Sequence, residues 1–137
     1  HLDFDLSLAV KQSNDNPVYY IQYAHARICS VLKEWGGDPE TLKEADLSAL
    51  NAQEIALAGK LSQWPETIEA AAKERAPHQI AFYLKDLAAA FHAWYNASRF
   101  LVDEAATAQA RLALALAVRQ AIANGMKLLG VSCPEHM

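Results

Sequence analysis

Catalytic motifs are what this sequence most plainly lacks. It carries no P-loop, glycine-rich phosphate cradle or nucleophile motif, so the usual housings of phosphoryl- or acyl-transfer chemistry are missing. Its two cysteines, Cys29 and Cys133, stand far apart without CxxC or metal-ligand spacing. A disulfide would need the fold to join them, and two free thiols in a reducing cytoplasm is the plainer reading. His25 and Cys29 lie at i, i+4 and make at most half a metal site, since no second pair stands nearby. His92 has no acid–base partner in the sequence around it, which points to a structural imidazole. Apolar runs of membrane-spanning length are absent because Lys, Arg, Glu and Gln interrupt every candidate, and there is no signal peptide. Positive charge is not in excess either. The formal net charge of −4 argues against a sequence-indifferent nucleic-acid binder, yet leaves room for reading unstacked RNA bases by aromatic stacking and edge hydrogen bonds.

What is present is apolar and helical. Hydrophobic residues make up 53% of the chain, too many for disorder, and 137 residues fit one domain with an ordinary core. The chain opens at His1 rather than a methionine, and we expect a fragment of a longer protein. The stretch over 14–33 organises the rest. Asp15 or Asn16 can cap a helix there, Pro17 suits its first position, and Gly36-Gly37 can end it. Before it we expect an extended lead-in, a short helix over 5–12 and a turn over 13–16. After it come a mobile loop over 36–45 and a helix over 52–62 opened by the capping-box spacing of Asn51 and Glu54. Pro65 begins a helix to about 75, and Pro77 another to about 102. A helix over 104–124, stopped by Gly125, is apolar on nearly every side and should be the central one. The sum is an all-α helical bundle of four to five main helices. Arg119 falls among Leu112, Ala115, Leu116 and Ile122, where a cation needs an internal carboxylate or a path toward a ligand or neighbouring domain.

At 100° per residue the first long helix sorts into two faces. Ile21, Ile28 and Leu32 share a buried stripe with His25 at its margin. Tyr20, Tyr23 and Arg27 share another. Two readings fit that second stripe. The tyrosines can pack against a neighbouring helix while Arg27 snorkels to solvent, or the rings can offer stacking surfaces and the guanidinium a grip on phosphate or a base edge. On the helix over 77–102, Leu84, Leu87, Phe91, Tyr95, Ser98 and Val102 line one stripe, with Trp94 at its edge.

Three segments resemble a known family. Asn16-Pro17-Val18-Tyr19-Tyr20-Ile21-Gln22-Tyr23-Ala24-His25-Ala26-Arg27 is similar to the signature that opens the anticodon-binding domain of arginyl-tRNA synthetases. Ala90-Phe91-His92-Ala93-Trp94-Tyr95-Asn96 resembles the middle segment of that domain. Gly125-Met126-Lys127-Leu128-Leu129-Gly130-Val131, followed by Pro134-Glu135-His136-Met137, is similar to its end. Two positions depart from the pattern: His136 stands where the family usually has arginine, and the tetrapeptide Asp-Ala-Leu-Arg has only Leu116-Ala117-Val118-Arg119 as its nearest echo.

The resemblance implies a C-terminal helical domain, over 1–137, of a class I arginine–tRNA ligase, a cytoplasmic enzyme that joins arginine to its tRNA. ATP, with Mg, would serve the full-length enzyme. The two ATP-holding signatures of the class are missing from this sequence, so the piece itself would need no cofactor and activate no amino acid. Its implied partners are the anticodon loop of tRNA-Arg and the catalytic domain of its own chain, with neither DNA nor a membrane among them. By position, the resemblance assigns loop contacts to Tyr20, Tyr23, Arg27 and Met137, with Trp94 a further candidate. The genetic code sets the demand: every arginine anticodon has C in the middle, and G or U in third place. G and U share a carbonyl beside a ring N–H, so one donor–acceptor pair can accept both. Two other readings compete, the anticodon domain of another synthetase (glycine or cysteine) and a helical protein-interaction module.

Overall fold

The computed structural model of the chain describes residues 16–137. The expected short helix over 5–12, its lead-in and most of the turn over 13–16 lie outside them. Helix α1, Pro17–Trp35, begins where the sequence places it: the Asn16 side chain accepts from the Val18 N–H at 3.0 Å, with Pro17 in the first turn. It ends on Gly36, whose φ of 71° is open to glycine at little cost and whose N–H reaches the Leu32 carbonyl.

The expected loop over 36–45 is partly helical. A 3₁₀ helix, Pro39–Glu44, is capped by Asp38 and buries Leu42, and a second short one, Leu47–Ala49, follows. Both pack against the last helix. One well-placed leucine anchors a turn too short to show any helical period. Next come α2, Ala52–Ser62, α3, Trp64–Lys73, α4, His78–Ala97, and α5, Ala105–Leu128. Among the described residues these five α-helices and two 3₁₀ turns are the regular structure, without strands. The architecture is an all-α bundle, and no helix in it is long and apolar enough to cross a membrane.

Helix α5 is the packing centre. Ala110, Leu112, Ala115, Val118 and Ile122 are fully buried, with α1, α2, α4 and both 3₁₀ turns laid against it. Two boundaries differ from the sequence reading. Helix α4 stops at Ala97 because Ser98 is extended and Phe100 folds back onto Trp94, ring centroids 4.3 Å apart. Helix α5 runs through Gly125, which is buried inside it; a Cβ there would lie 2.8 Å from Leu84 Cδ1 and 3.0 Å from Trp64. Gly125 thus permits close helix packing rather than ending the helix. The stop is Gly130, at φ 75°, where Val131 N–H bonds the Met126 carbonyl and Gly130 N–H that of Lys127, at 2.9 and 3.0 Å. That pattern is a Schellman cap.

A carboxylate ties the bundle together from inside. Glu54 closes the capping box of α2, accepting from the Asn51 N–H at 2.8 Å. It is also fully buried. Its Oε2 accepts from Trp94 Nε1–H and from Arg111 Nε–H, each at 2.8 Å, so α2, α4 and α5 meet on one side chain.

Candidate nucleic-acid interface

The helical spacing of Tyr19, Tyr23 and Arg27, four residues apart in turn, stacks their side chains along one flank of α1. Tyr19 and Tyr23 lie nearly parallel at 6.2 Å between centroids. The Arg27 guanidinium sits over the Tyr23 ring at 4.4 Å and over the Tyr95 ring, from α4, at 4.3 Å. Four planar groups therefore form one ladder, with a cation held between two electron-rich faces. Tyr20, Tyr23 and Arg27 are half-buried and Tyr95 is 37% exposed. The sequence left open whether these tyrosines pack or face outward, and the structure has them do both.

Behind the ladder lies His92, on α4 and mostly buried. Its ring meets Tyr20 at 4.7 Å and Tyr23 at 5.5 Å between centroids. Its Nδ1 lies 3.1 Å from Arg27 Nη1 and its Nε2 lies 3.2 Å from the Tyr20 carbonyl oxygen. Arginine can only donate and a carbonyl only accept. The ring must therefore be the neutral tautomer, with Nδ1 accepting and Nε2–H donating. Burial holds His92 below the ordinary imidazole value; the Tyr20 carbonyl pulls the other way, and the Arg27 charge adds a smaller push downward.

On the opposite flank of α1 runs the C-terminal tail. Gln22 Nε2–H donates to the Ser132 carbonyl at 2.7 Å, and His25 Nδ1 lies 3.2 Å from the Pro134 carbonyl oxygen. Burial lowers the His25 pKa as well, which keeps the ring neutral and its Nδ1–H a donor to that carbonyl. Cys29 is a free thiol beside it, Sγ 3.7 Å from His25 Nδ1. Two clefts border the ridge of α1. One, of about 350 Å³, opens beyond Tyr95 and is lined by Glu34, Ser98, Arg99 and Leu101. The other, of about 340 Å³, lies toward the tail between Ser30, Lys33, Arg119, Glu135 and His136. Met137, next along, is 49% exposed.

The structure thus brings Tyr20, Tyr23 and Arg27 together and lays the tail that ends in Met137 on the same helix. It does not bring Trp94. That residue is fully buried with its N–H committed to Glu54, so no base can stack on it. The stripe of α4 is rotated from the expected one: Trp94 faces the core and Tyr95 faces Arg27. Tyr19, His92 and Tyr95 are the residues the sequence reading missed; Tyr19 stands four residues before Tyr23 on the same flank. For His92 and Tyr95 the available signal was their i, i+3 spacing, which puts an imidazole and a phenol on one edge of α4. For Arg119 no internal carboxylate partner is found among the described residues. Among the described residues Arg111 takes the buried glutamate, while Arg119 Nη1 reaches Cys29 Sγ at 3.9 Å and opens into the tail-side cleft.

Known proteins resemble this chain along its whole length. The chain is 64% identical over 138 residues to an arginine–tRNA ligase of Dechloromonas aromatica and 63% identical to one of an Azoarcus species, covering 100% of the chain and 24% of each relative. It therefore spans about a quarter of the length of these curated relatives. A solved arginyl-tRNA synthetase of Thermus thermophilus superposes with a TM-score of 0.85 at 36% identity, over 99% of this chain and 24% of that one. A chain from Campylobacter jejuni does so at 0.89, also at 36% identity, over 100% of this chain and 30% of that one. The DALR anticodon binding domain family matches residues 21–137, a span that takes in Tyr23, Arg27 and Tyr95, the central helix α5 and the tail. By that match the chain belongs to the DALR anticodon-binding domain family.

Proposed function

We propose that this chain is the C-terminal anticodon-binding domain of an arginine–tRNA ligase and that the ridge of α1 with the adjoining tail receives the anticodon loop of tRNA-Arg. The observation that carries this is the ladder of Tyr19, Tyr23, Arg27 and Tyr95, built on the helix that also holds the tail. Unstacked bases need flat partners, and this reading gives that role to the half-exposed parts of the Tyr20 and Tyr23 rings that Tyr19, Arg27 and His92 leave uncovered. Arg27 spends one N–H on His92 and keeps others along its edge for a phosphate or a base. Met137, at the end of the tail, packs or caps against the middle base.

The ligation itself joins arginine to the tRNA with cleavage of ATP to AMP and diphosphate. In this reading it belongs to a catalytic domain elsewhere in a longer chain, in the cytoplasm, and ATP and Mg serve there. Footprinting of arginine tRNA with this chain tests the proposal. Protection centred on the anticodon loop is expected. Protection confined to other parts of the tRNA, or a salt-insensitive lack of any shift with labelled tRNA, would overturn it in favour of a protein-binding module.

A further inference from the structure

We propose that His92 is a positioning residue for Arg27: its neutral ring fixes the guanidinium between Tyr23 and Tyr95, and protonation of the ring releases it. The inference rests on the anticodon-loop reading above.

The geometry has three parts. The two phenol rings each hold the guanidinium, at 4.4 and 4.3 Å from its central carbon, but contacts to ring faces do not set which of its edges points inward. The third part removes this freedom. His92 Nδ1, 3.1 Å from Nη1, sets which edge of the guanidinium turns inward and so which edge is left for RNA. The ring is itself fixed at its far side, because Nε2–H is held by the Tyr20 carbonyl at 3.2 Å. The contact therefore runs from the backbone of α1 through an α4 side chain back to an α1 side chain.

Only one protonation state allows it. A proton on Nδ1 removes the acceptor and places two cations at hydrogen-bond distance. The groups facing His92 are Tyr20, Tyr23 and Arg27 from α1 and Phe91 on its own helix, with Tyr95 against the same guanidinium. Among the described residues Arg27 is the one charge that acts on it, and no carboxylate stands by to hold the imidazolium. Protonation must then drive the guanidinium out of its seat rather than be compensated in place.

The test uses the full-length ligase that carries this domain and labelled arginine tRNA, titrated at pH 7.5 and pH 4.5 at fixed salt, because burial holds His92 below the ordinary imidazole value. The wild-type protein should lose about ten-fold or more in affinity on acidification, the worth of one hydrogen bond to a charged group, and a wild-type affinity that does not change overturns the proposal. His92→Asn offers an amide oxygen where Nδ1 stood and has nothing to titrate. It should bind within about two-fold of wild type at pH 7.5 and show no acid loss. His92→Phe should be weaker by about five-fold at both pH values, and should cost nothing more in an Arg27→Ala background. An acid loss that persists in His92→Asn overturns the proposal, as does a His92→Phe penalty undiminished without Arg27. Should His92→Phe fail to fold by circular dichroism, the His92→Asn arm decides alone. Tyr23→Ala separates the two readings: unchanged binding in that variant removes the α1 ridge as the RNA site. A loss there, with His92→Asn still acid-sensitive, sinks only the role given to His92.

Discussion

Tyr23 shows how one side chain can serve fold and recognition together. One face of its ring bears Arg27 and its neighbourhood includes Tyr19 and His92, yet it stays half-exposed. Stacking contributes about 1–3 kcal/mol per base, so Tyr23→Ala should weaken arginine-tRNA binding roughly ten- to a hundred-fold with the helix content unchanged. Binding isotherms beside circular dichroism check both halves. Tyr20→Ala should produce a loss of similar size, part of it through the displaced His92 ring, so combining it with His92→Asn should give less than the sum of the separate losses. Arg27→Ala should flatten the dependence of binding on salt by about one charge if its contact is a phosphate. An unaltered slope would assign it a base edge instead.

At the scale of elements, stability concentrates where helices share a side chain. Glu54→Ala would strip acceptors from Trp94, Arg111 and the Asn51 backbone at once, leaving buried donors unpaired. We expect a loss of about 3–5 kcal/mol in urea unfolding, against a few tenths for an exposed carboxylate such as Glu66. Gly125→Ala is the sharper test of packing, because propensity and sterics disagree in sign. Alanine gains about 1 kcal/mol in a helix interior, but its methyl would press on the fully buried Leu84 and on Trp64. Overpacking of about 1–3 kcal/mol should win, lowering the melting temperature. This is also where the sequence was least legible. Capping residues are legible at Asn51 and Gly36, and at Asn16 as one of two candidates with Asp15, because their signal is local. Gly125 was misread because its reason is another helix's leucine, and α4 was overextended because Phe100 turns back onto Trp94 through space. For the same reason the sequence spacing revealed Tyr20, Tyr23 and Arg27 as one face, while Tyr95 and His92 became legible only once α4 was laid across α1.

Taken whole, the molecule rests on two buried, neutral imidazoles that bridge separate parts of the chain. His92 links α4 to α1, and His25 links α1 to the tail. Both have pKa values below the ordinary 6.5, chiefly through burial. The unfolded chain therefore binds more protons than the folded one below about pH 6.5. Stability should be full above that value, fall as pH drops toward the lowered pKa values, and level off beneath them. Chemical unfolding from pH 7.5 to 5 measures the slope, and replacing both histidines by asparagine should flatten it.

The sandwiched guanidinium of Arg27 has one more consequence. A loose arginine on a surface surrenders about 2 kcal/mol of rotamer entropy when a ligand immobilises it. Here that ordering is already complete when the helices close, so it is charged against folding and not against association. The domain should therefore meet a splayed loop without rearranging, and changes to this residue should appear mainly in how slowly the RNA departs.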